Sequence, residues 1–549
     1  MSRENTVRTN ADDRSGERRL LNTLKRKQSV VVAVFLVILL TSLVVPGHTQ
    51  KQKPQKPSSD EFQQTWGPLY SPQANAPLYS PQGSAPSAVD ATTGSDSMAM
   101  LHHWNHVAID ASGLDHTPVA PGENRVFGEQ VGPCRAARAE AIVHIAIFEA
   151  VNAVVGGYQS YAGIERVPRE TSINAAIAVA AHDTLAALFP SQAPAMHAQL
   201  NADLSQIAEG YSKSLGVKLG HRCAANVLAM RANDGSQLAE PRVGIDFITS
   251  NEAGKWRQDP ISHHPLALGG HWDQVKPFVI VSASQFRAPA PPALNSPEYA
   301  AAYNEAKQLG GDGIHTPTTR TEDQTQTGIF WAYDGTPSLC APPRLYNQIA
   351  VKIADQMGLN FVQQARMLAL INTAMADAGI AIWESKFYYE YWRPITGIRE
   401  ADAGTGPSGT GDGNPLTTGD PNFMPLGAPA SNLTGPNFTP PFPSYPSGHG
   451  GFGGALFQTL RRFYGTDNIP FTFVSDEFNG VTVDNGGNVR PLLPRSFATL
   501  SQAEEENGQS RIYLGIHWSF DKTAAIAQGR QVGDWVFKRM FPPTSVRSK

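Results

Sequence analysis

Residues 386–394 read KFYYEYWRP and lie at the end of a long apolar helical pattern, residues 360–391, with the composition of a core helix. Two further short segments lie downstream, PSGH at residues 446–449 and SRIYLGIHWSFD at residues 510–521. Together the three segments supply a Lys, two Arg, two His, a Ser and a Gly amide, without a surplus of nearby carboxylates. This set of cations and hydrogen-bond donors suits a tetrahedral or trigonal-bipyramidal oxyanion.

The first segment predicts two cations on one helix face. Lys386 and Arg393 are seven residues apart, which is two helical turns, so both side chains point the same way. Pro394 disfavours helical geometry at the residue before it, which predicts that the helix ends at Arg393. A lone pair at this spacing is common on solvated helices, but its coincidence with the other two segments favours an anion site.

The second segment predicts the start of a helix. Ser447 is a typical N-cap before the apolar pattern of residues 452–464, so the amides of Gly448 and His449 would point outward toward an anion. Gly448 also allows the backbone to approach that anion closely. Taken alone, the segment is more simply an ordinary capped helix in which His449 is a satisfied polar residue.

The third segment supplies an arginine and an oriented histidine. Arg511 can contact two oxygens of one anion. Asp521 lies four residues after His517 and can accept a hydrogen bond from one ring nitrogen, which fixes the tautomer and raises the basicity of the ring. A surface salt bridge between Asp521 and the adjacent Lys522 is the alternative.

The pattern K-x6-R-P, P-S-G-H and S-R-x5-H-x3-D resembles the superfamily shared by type 2 phosphatidic acid phosphatases (PAP2), bacterial acid phosphatases and vanadium-dependent haloperoxidases. Each part keeps its internal spacing, and the order along the chain is the same. The resemblance implies a mainly α fold of two packed helical bundles. For a haloperoxidase it implies that vanadate is the cofactor, with His517 bonded to vanadium and the cofactor held by Lys386, Arg393, Ser447, Gly448, Arg511 and His517.

Two activities follow from this resemblance. In a haloperoxidase, His449 helps to deprotonate hydrogen peroxide and Lys386 polarises it for attack by a halide, while His517 and Asp521 complete the catalytic set. The partners would then be hydrogen peroxide, a halide and a small organic substrate. In a secreted phosphatase, the alternative, His517 attacks phosphorus to form a phosphohistidine and His449 protonates the leaving oxygen.

Three features favour the haloperoxidase. The sequence after Met98 is about twice as long as a small acid phosphatase needs, and no series of apolar spans predicts a membrane-integral lipid phosphatase. Trp383 and Phe442 stand where fungal vanadium chloroperoxidases have aromatic residues beside the halide, whereas algal bromoperoxidases have His at the second position. Plain core packing is the other explanation for these two side chains. The halide and the organic substrate stay undetermined.

Two further positions also concern this resemblance. Residues 330–335 (FWAYDG) resemble the family, which predicts that Asp334 steadies an active-site Arg. Gly450 and Gly451 stand where relatives often have Ala and Thr, which predicts a looser start to the helix after Ser447.

The remaining composition excludes several other classes of protein. The net charge of −4 argues against a nucleic-acid partner, and three widely spaced cysteines form no zinc or haem motif. A basic cluster at residues 18–27 precedes an uncharged apolar run at residues 30–46, which predicts export by a cleaved signal or an uncleaved membrane anchor. The exported part would be periplasmic, secreted or anchored outside the cytoplasm. A homodimer is left open.

We divide the chain into four regions. Residues 1–50 are a basic and apolar segment, and residues 51–97 are a flexible Pro/Ser/Gln-rich linker. Residues 98–290 are an N-terminal helical region, and residues 291–549 are a C-terminal catalytic region that contains the motif of residues 383–521. Helical periodicity predicts helices over residues 134–155, 172–188, 195–207, 212–233, 298–309, 343–356, 360–391, 449–464 and 502–541. Residues 471–474 and 481–483 predict one hairpin, and the loops 403–422 and 426–446 a rim or lid of the site.

Overall fold

The computed structural model describes residues 94–544. The predicted export segment, most of the predicted linker and residues 545–549 lie outside the described residues. Within the described range the fold is mainly α-helical, as predicted, with one two-stranded sheet. The first helix begins at Gly94, slightly ahead of the linker boundary predicted at residue 97.

Among the described residues before 290, five α-helices occur: α1 Gly94–Asp115, α2 Pro133–Val155, α3 Ile173–Leu188, α4 Ala193–Ser205 and α5 Tyr211–Arg231. Between residues 290 and 544 there are eight more: α6 Pro297–Gly310, α7 Glu322–Phe330, α8 Pro342–Gln356, α9 Phe361–Tyr389, α10 Pro394–Arg399, α11 Gly448–Tyr464, α12 Leu500–Tyr513 and α13 Ser519–Arg539. Strands β1 Phe471–Phe473 and β2 Arg495–Phe497 pair antiparallel.

Helix α9 lies at the centre of the core. A capping box fixes its start, since the Asn360 side chain accepts from the Gln363 amide (3.0 Å) and the Gln363 side chain accepts from the Asn360 amide (3.1 Å). The helix is long and apolar enough to cross a membrane, but its apolar span is entirely buried and it packs against α2, α11 and α13. Lys386 is therefore carried into the interior by a core helix.

The end of α9 differs from the prediction. The helix stops at Tyr389 because Glu390 takes a left-handed backbone conformation, with φ of 52°, and its amide donates to the Lys386 carbonyl (2.8 Å). Arg393 is instead the N-cap of α10, and Pro394 is the first residue of that helix. Lys386 and Arg393 therefore do not share a helix face; a turn brings them to the same site.

The predicted helix over residues 502–541 is also wrong as one element, because it breaks between α12 and α13. Gly515 in the break has φ of 70°, and a Cβ there would lie 2.5 Å from the carbonyl oxygen of Gly310. Glycine is therefore required both by the backbone conformation and by the close approach of α6. The break places His517 in a loop rather than on a helix face.

The predicted hairpin has the wrong partner strand. Strand β1 pairs with residues 495–497 and not with residues 481–483. The chain turns away directly after β1, because the Ser475 hydroxyl accepts from the Glu477 amide (3.1 Å) and caps a short 3-10 turn. Val483 belongs to no strand and forms an isolated bridge with Val489.

Helices α11 and α13 approach each other through glycines. A Cβ on Gly529 would lie 2.1 Å from the Gly451 carbonyl oxygen, and one on Gly454 would lie 2.7 Å from the Ile526 carbonyl oxygen. A Cβ on Gly451 would also lie 2.1 Å from the Ile382 side chain of α9. The glycines after Ser447 thus permit close packing on two sides, and the looser start of α11 stays a prediction.

We expect Asp377→Ala to lower the free energy of unfolding by about 3 kcal/mol. The Asp377 carboxylate is fully buried on α9 and accepts the amides of Phe278 (2.6 Å), Val279 (2.8 Å) and Ile280 (2.9 Å), which would lose their partner. Urea unfolding followed by circular dichroism measures the loss. Asp246→Ala, at an exposed salt bridge, should change stability by less than about 0.5 kcal/mol, and equal effects would contradict the prediction.

Candidate active site

One cavity of about 40 Å³ brings residues from the second and third segments together. Its polar lining consists of Asp334, Gly448, His449, Arg511 and His517. Its apolar lining includes Leu268, Trp383, Phe438, Pro440, Pro441, Phe442 and Phe452. The volume is enough for about three water-sized groups, which is the scale of a small oxyanion.

The lining also tests the predicted rim. The loop 426–446 contributes one wall of the cavity through Phe438 and residues 440–442. The loop 403–422 contributes no residue to the lining. The loop 426–446 is thus part of the rim, and the loop 403–422 is not.

Lys386 is completely buried directly behind this wall. Its Nζ donates to the carbonyls of Pro443 (2.7 Å) and Ser444 (2.9 Å) and lies 5.1 Å from the centre of the Phe442 ring. Burial and the nearby Arg393 hold the pKa of Lys386 well below its usual value. A bound anion would offset both effects, because it favours the ammonium form.

Arg393 joins the first segment to the other two. Its Nε donates to the Phe442 carbonyl (2.9 Å), and its Nη1 donates to the Ile516 carbonyl (2.8 Å) and to Nε2 of His517 (3.0 Å). The side chain is almost wholly buried, and burial lowers its pKa to about 9. Two carbonyls therefore hold the guanidinium beside the histidine.

Arg511 is held by Asp334. Its Nη2 lies 2.6 Å and 2.7 Å from the two carboxylate oxygens of Asp334, and both side chains are buried. The contact between Asp334 and an arginine of the site is the one predicted from the sequence. Burial raises the pKa of Asp334, while the charge of Arg511 acts in the opposite direction.

The donors that remain beside the cavity fit an oxyanion. Among the described residues, three buried guanidinium nitrogens of the site have no hydrogen-bond partner: Arg393 Nη2, Arg511 Nε and Arg511 Nη1. Buried donors in proteins are nearly always satisfied, so these nitrogens call for ligand oxygens. Lys386, Arg393 and Arg511 also outnumber the carboxylates of Asp334 and Asp521. Phosphate or vanadate matches both the charge and the donor set.

His517 is present as one defined tautomer. Its Nδ1 lies 2.8 Å from Oδ2 of Asp521, and its Nε2 accepts from Arg393, which can only donate. The proton is therefore on Nδ1, and Nε2 carries a lone pair. Burial, followed by the charges of Arg393 and Lys386, holds the pKa of His517 well below its usual value, so the ring is neutral. An unprotonated Nε2 is the form that can bond to a central atom.

Asp521 connects the second and third segments. It bonds to His517 as predicted, and the alternative, a surface pair with Lys522, is not formed. Oδ2 also accepts the Trp518 amide (3.1 Å), and the Asp521 carbonyl accepts the Ser447 amide (3.1 Å). Burial raises the pKa of the carboxyl to about 7, while Lys386 acts to lower it. Lys522 instead donates to Glu505 and Gln509.

The second segment begins α11 as predicted. The Ser447 hydroxyl oxygen accepts from the Gly450 amide (3.4 Å), so its own hydrogen is free to be donated. A Cβ on Gly448 would lie 3.2 Å from the Trp383 ring. The N-terminus of α11 thus faces the cavity at Gly448 and His449, where its amides and dipole favour an anion.

His449 is held by a carbonyl of the Asp334 turn. Its Nε2 lies 2.6 Å from the Ala332 carbonyl, which can only accept, so Nε2 carries the proton and Nδ1 is the basic nitrogen. Burial, then the charge of Arg511, holds the pKa of His449 well below its usual value. A neutral imidazole with one unprotonated nitrogen can accept a proton from a bound molecule.

Sequence reasoning missed two residues that hold the backbone of His449. The His449 carbonyl accepts from the Tyr346 hydroxyl (3.0 Å) and from Nδ2 of Asn507 (3.0 Å), and these side chains also bond to each other (2.9 Å). A Cβ on Gly453 would lie 2.4 Å from the Asn507 amide nitrogen, so glycine makes this contact possible. No spacing rule identifies Tyr346 or Asn507. They come from α8 and α12, and they bond to the main-chain carbonyl of His449 rather than to its side chain.

Trp383 and Phe442 form an aromatic side of the cavity. Their ring centres lie 4.9 Å apart, and both rings are buried. The Arg393 guanidinium lies 5.0 Å from the Phe442 ring centre. The surface of this wall is therefore apolar, with the positive charge of Arg393 close to the Phe442 ring. Such a wall suits a weakly hydrated anion.

Without added oxyanion, we expect the imidazole of His449 to be neutral at pH 6.5, because its pKa is held below that value. Nitrogen NMR of histidine-labelled protein tests this, with His449→Gln to assign the signal. Added phosphate should raise the pKa, since a bound anion favours the imidazolium. A His449 signal that titrates near pH 6.5 and does not change on addition of phosphate would contradict the expectation.

Comparisons with known proteins identify relatives of this chain. A family described as the VCPO second helical-bundle domain matches residues 366–543. The chain is 31% identical over 500 residues to the vanadium chloroperoxidase of Curvularia inaequalis. The aligned region covers 77% of this chain and 79% of that protein.

Two solved structures share the fold. One is described as the first bacterial vanadium-dependent iodoperoxidase, with a TM-score of 0.62 and 24% identity over 81% of this chain and 98% of that one. The other is a holo-type bacterial vanadium-dependent chloroperoxidase, with a TM-score of 0.55 and 17% identity over 76% of this chain and 94% of that one.

Proposed function

Since the chain belongs to the vanadium-dependent haloperoxidase family, whose cofactor is vanadate, we propose that it oxidises a halide with hydrogen peroxide to a hypohalous acid equivalent that halogenates small organic molecules. The observation that carries the proposal is the set of unpaired guanidinium nitrogens beside the lone pair of His517. When bound, vanadate supplies the electrophilic centre at which peroxide is activated toward halide. The residues of this chain hold the cofactor, orient it and accept a proton from hydrogen peroxide.

Binding and orientation come from the three segments. His517 would be the protein ligand through Nε2, and its bond to Asp521 fixes that tautomer. Arg393 and Arg511 would donate to the cofactor oxygens through their unpaired nitrogens. Ser447 and the Gly448 amide would add donors at the N-terminus of α11.

Proton transfer falls to His449. Its Nδ1 is the basic nitrogen, because Nε2 donates to Ala332, and its lowered pKa keeps it neutral and able to accept a proton from hydrogen peroxide. Lys386 supplies a buried positive charge that withdraws electron density from the peroxide. The carbonyls of Pro443 and Ser444 orient its ammonium group.

We place the halide beside Trp383 and Phe442 and propose that chloride is among the halides oxidised. The aromatic rings exclude water from one side of a weakly hydrated anion, while Lys386 and Arg393 lie within 5.1 Å and 5.0 Å of the Phe442 ring centre. The chloroperoxidase relative supports chloride over iodide alone.

The place of action is a further proposal from the sequence. The basic cluster and apolar run before residue 47 support export, so that the enzyme acts outside the cytoplasm, secreted or anchored. Association as a homodimer stays a proposal of the same kind.

For the full chain incubated with orthovanadate, we expect bromination and chlorination of a dione reporter that require both vanadate and peroxide. His517→Ala should reduce this activity by at least about 1,000-fold, because the single protein ligand is lost. Hydrolysis of p-nitrophenyl phosphate by the vanadate-free protein is measured alongside. Phosphate release without halogenation would replace the proposal with a phosphohistidine phosphatase.

Phe442→His should reduce chlorination at least about tenfold relative to bromination, because a polar ring admits water beside the halide, and hydration lowers the reactivity of chloride, the more strongly hydrated ion, more than that of bromide. The ratio of kcat/KM for chloride and bromide is the measurement. Phe438→His, elsewhere on the cavity wall, is the matched control. An equal ratio in both variants would remove Phe442 from halide selection.

A further inference from the structure

A single turn, residues 332–335, makes contact with two functional side chains. The Ala332 carbonyl accepts from Nε2 of His449, and the Asp334 carboxylate binds Arg511. Any shift of this turn would therefore move the proton acceptor and one of the oxyanion donors together. The contacts that hold this turn in place therefore matter for the positions of both His449 and Arg511.

The turn has a backbone conformation that needs support. Tyr333 has φ of 43° and Gly335 has φ of 85°, and the left-handed region is unfavourable for a bulky residue such as Tyr. Such conformations persist when surrounding contacts fix them. Here the Tyr333 ring is fully buried. Its hydroxyl accepts from the Asp476 amide (2.7 Å) and donates to the Gln348 side chain (3.1 Å).

Behind the turn lies a buried ion pair that no motif contains. The Tyr333 amide donates to Oε1 of Glu477 (3.3 Å), and Oε2 of Glu477 accepts from Arg490 (2.7 Å) and from the Ser431 hydroxyl (2.6 Å). Glu477 has no exposed surface, and Arg490 is buried as well. The Ser475 hydroxyl also donates to the Phe330 carbonyl (2.6 Å), which ties the same stretch to the end of α7.

Glu477 and Asp334 also interact through charge. Burial raises the pKa of Glu477 to about 7, Arg490 opposes that shift and the carboxylate of Asp334 adds to it. Arg490 therefore offsets a negative charge that would otherwise repel Asp334 across the turn. Neither Glu477 nor Arg490 lines the cavity.

We propose that Glu477 and Arg490 are positioning residues of the active site, which hold the turn of residues 332–335 so that Ala332 orients His449 and Asp334 orients Arg511. The inference rests on the proposed function for its catalytic part, but its effect on oxyanion binding is independent of halogenation. The two residues act through the turn and do not touch substrate or cofactor. Asp334 touches Arg511 directly, and partners of that kind typically change affinity or activity by about 10- to 100-fold when lost. Glu477 and Arg490 act on Asp334 and Ala332 through the turn.

The test compares Glu477→Gln with the wild-type chain. Equilibrium dialysis measures the dissociation constant of orthovanadate and, separately, of phosphate, and steady-state assays at saturating vanadate measure kcat and KM for peroxide. We expect both oxyanion dissociation constants to rise about tenfold and kcat to fall about tenfold, since Arg511 and His449 both lose their orientation.

A matched control distinguishes positioning from general loss of stability. Asp234→Asn removes a buried carboxylate charge that pairs with Arg138 and Arg231 away from the cavity lining. It should lower Tm as Glu477→Gln does, but leave the vanadate dissociation constant within about twofold of the wild type. An unchanged dissociation constant and kcat in Glu477→Gln would overturn the proposal.

Two further measurements keep the proposal open to refutation. If Glu477→Gln does not fold, Ser431→Ala removes one hydrogen bond from Glu477 and keeps both charges, and it should shift the same constants in the same direction by a smaller factor. No shift in that variant would overturn the proposal. A wild-type chain that binds oxyanions but does not halogenate would contradict the proposed function alone.

Discussion

The site depends on a concentration of buried positive charge. Lys386, Arg393 and Arg511 have at most 1% of their surface exposed, and their charges exceed those of the two nearby carboxylates. Removing so many charges from water is unfavourable unless each finds partners of opposite charge or hydrogen-bond acceptors. Carbonyls of the 442–444 loop and of Ile516 satisfy part of this need, and an oxyanion satisfies the rest.

That requirement explains the arrangement of the surrounding elements. Core helix α9 brings Lys386 into the interior, the turn after it presents Arg393, and the break between α12 and α13 leaves His517 in reach of both Arg393 and Asp521. The N-terminus of α11 adds partial positive charge without another side chain. Each element therefore ends or bends where it meets the anion site.

Much of this could be predicted from the sequence, because chemistry-bearing residues occur there at fixed spacings. The helical class, the N-cap at Ser447 and the bond of His517 to Asp521 correspond to such patterns, and the contact of Asp334 with an Arg was predicted from the family resemblance of residues 330–335. The helix ends were harder to predict. The left-handed residue at Glu390 has no glycine to mark it, and the break at Gly515 is imposed by contact with Gly310.

The supporting residues could not be predicted in the same way. Tyr346, Asn507 and Glu477 act on main-chain atoms of distant segments, so their role depends on tertiary contacts that leave no local pattern. The error in the hairpin has the same origin, since the partner strand of β1 is chosen by packing after the Ser475 turn.

The close glycine packing of α11 on α9 and α13 has a consequence for how such an enzyme can diversify. Because side chains cannot grow at Gly454 or Gly529 without displacing backbone, or at Gly451 without displacing the Ile382 side chain, the helix bearing His449 is closed to gradual remodelling. The opposite wall, residues 438–442, belongs to a loop in which Phe442 packs on Trp383 of α9 but no residue is a glycine held against backbone. Natural variation and laboratory evolution of substrate range would therefore accumulate in that loop, while the anion-binding frame stays constant.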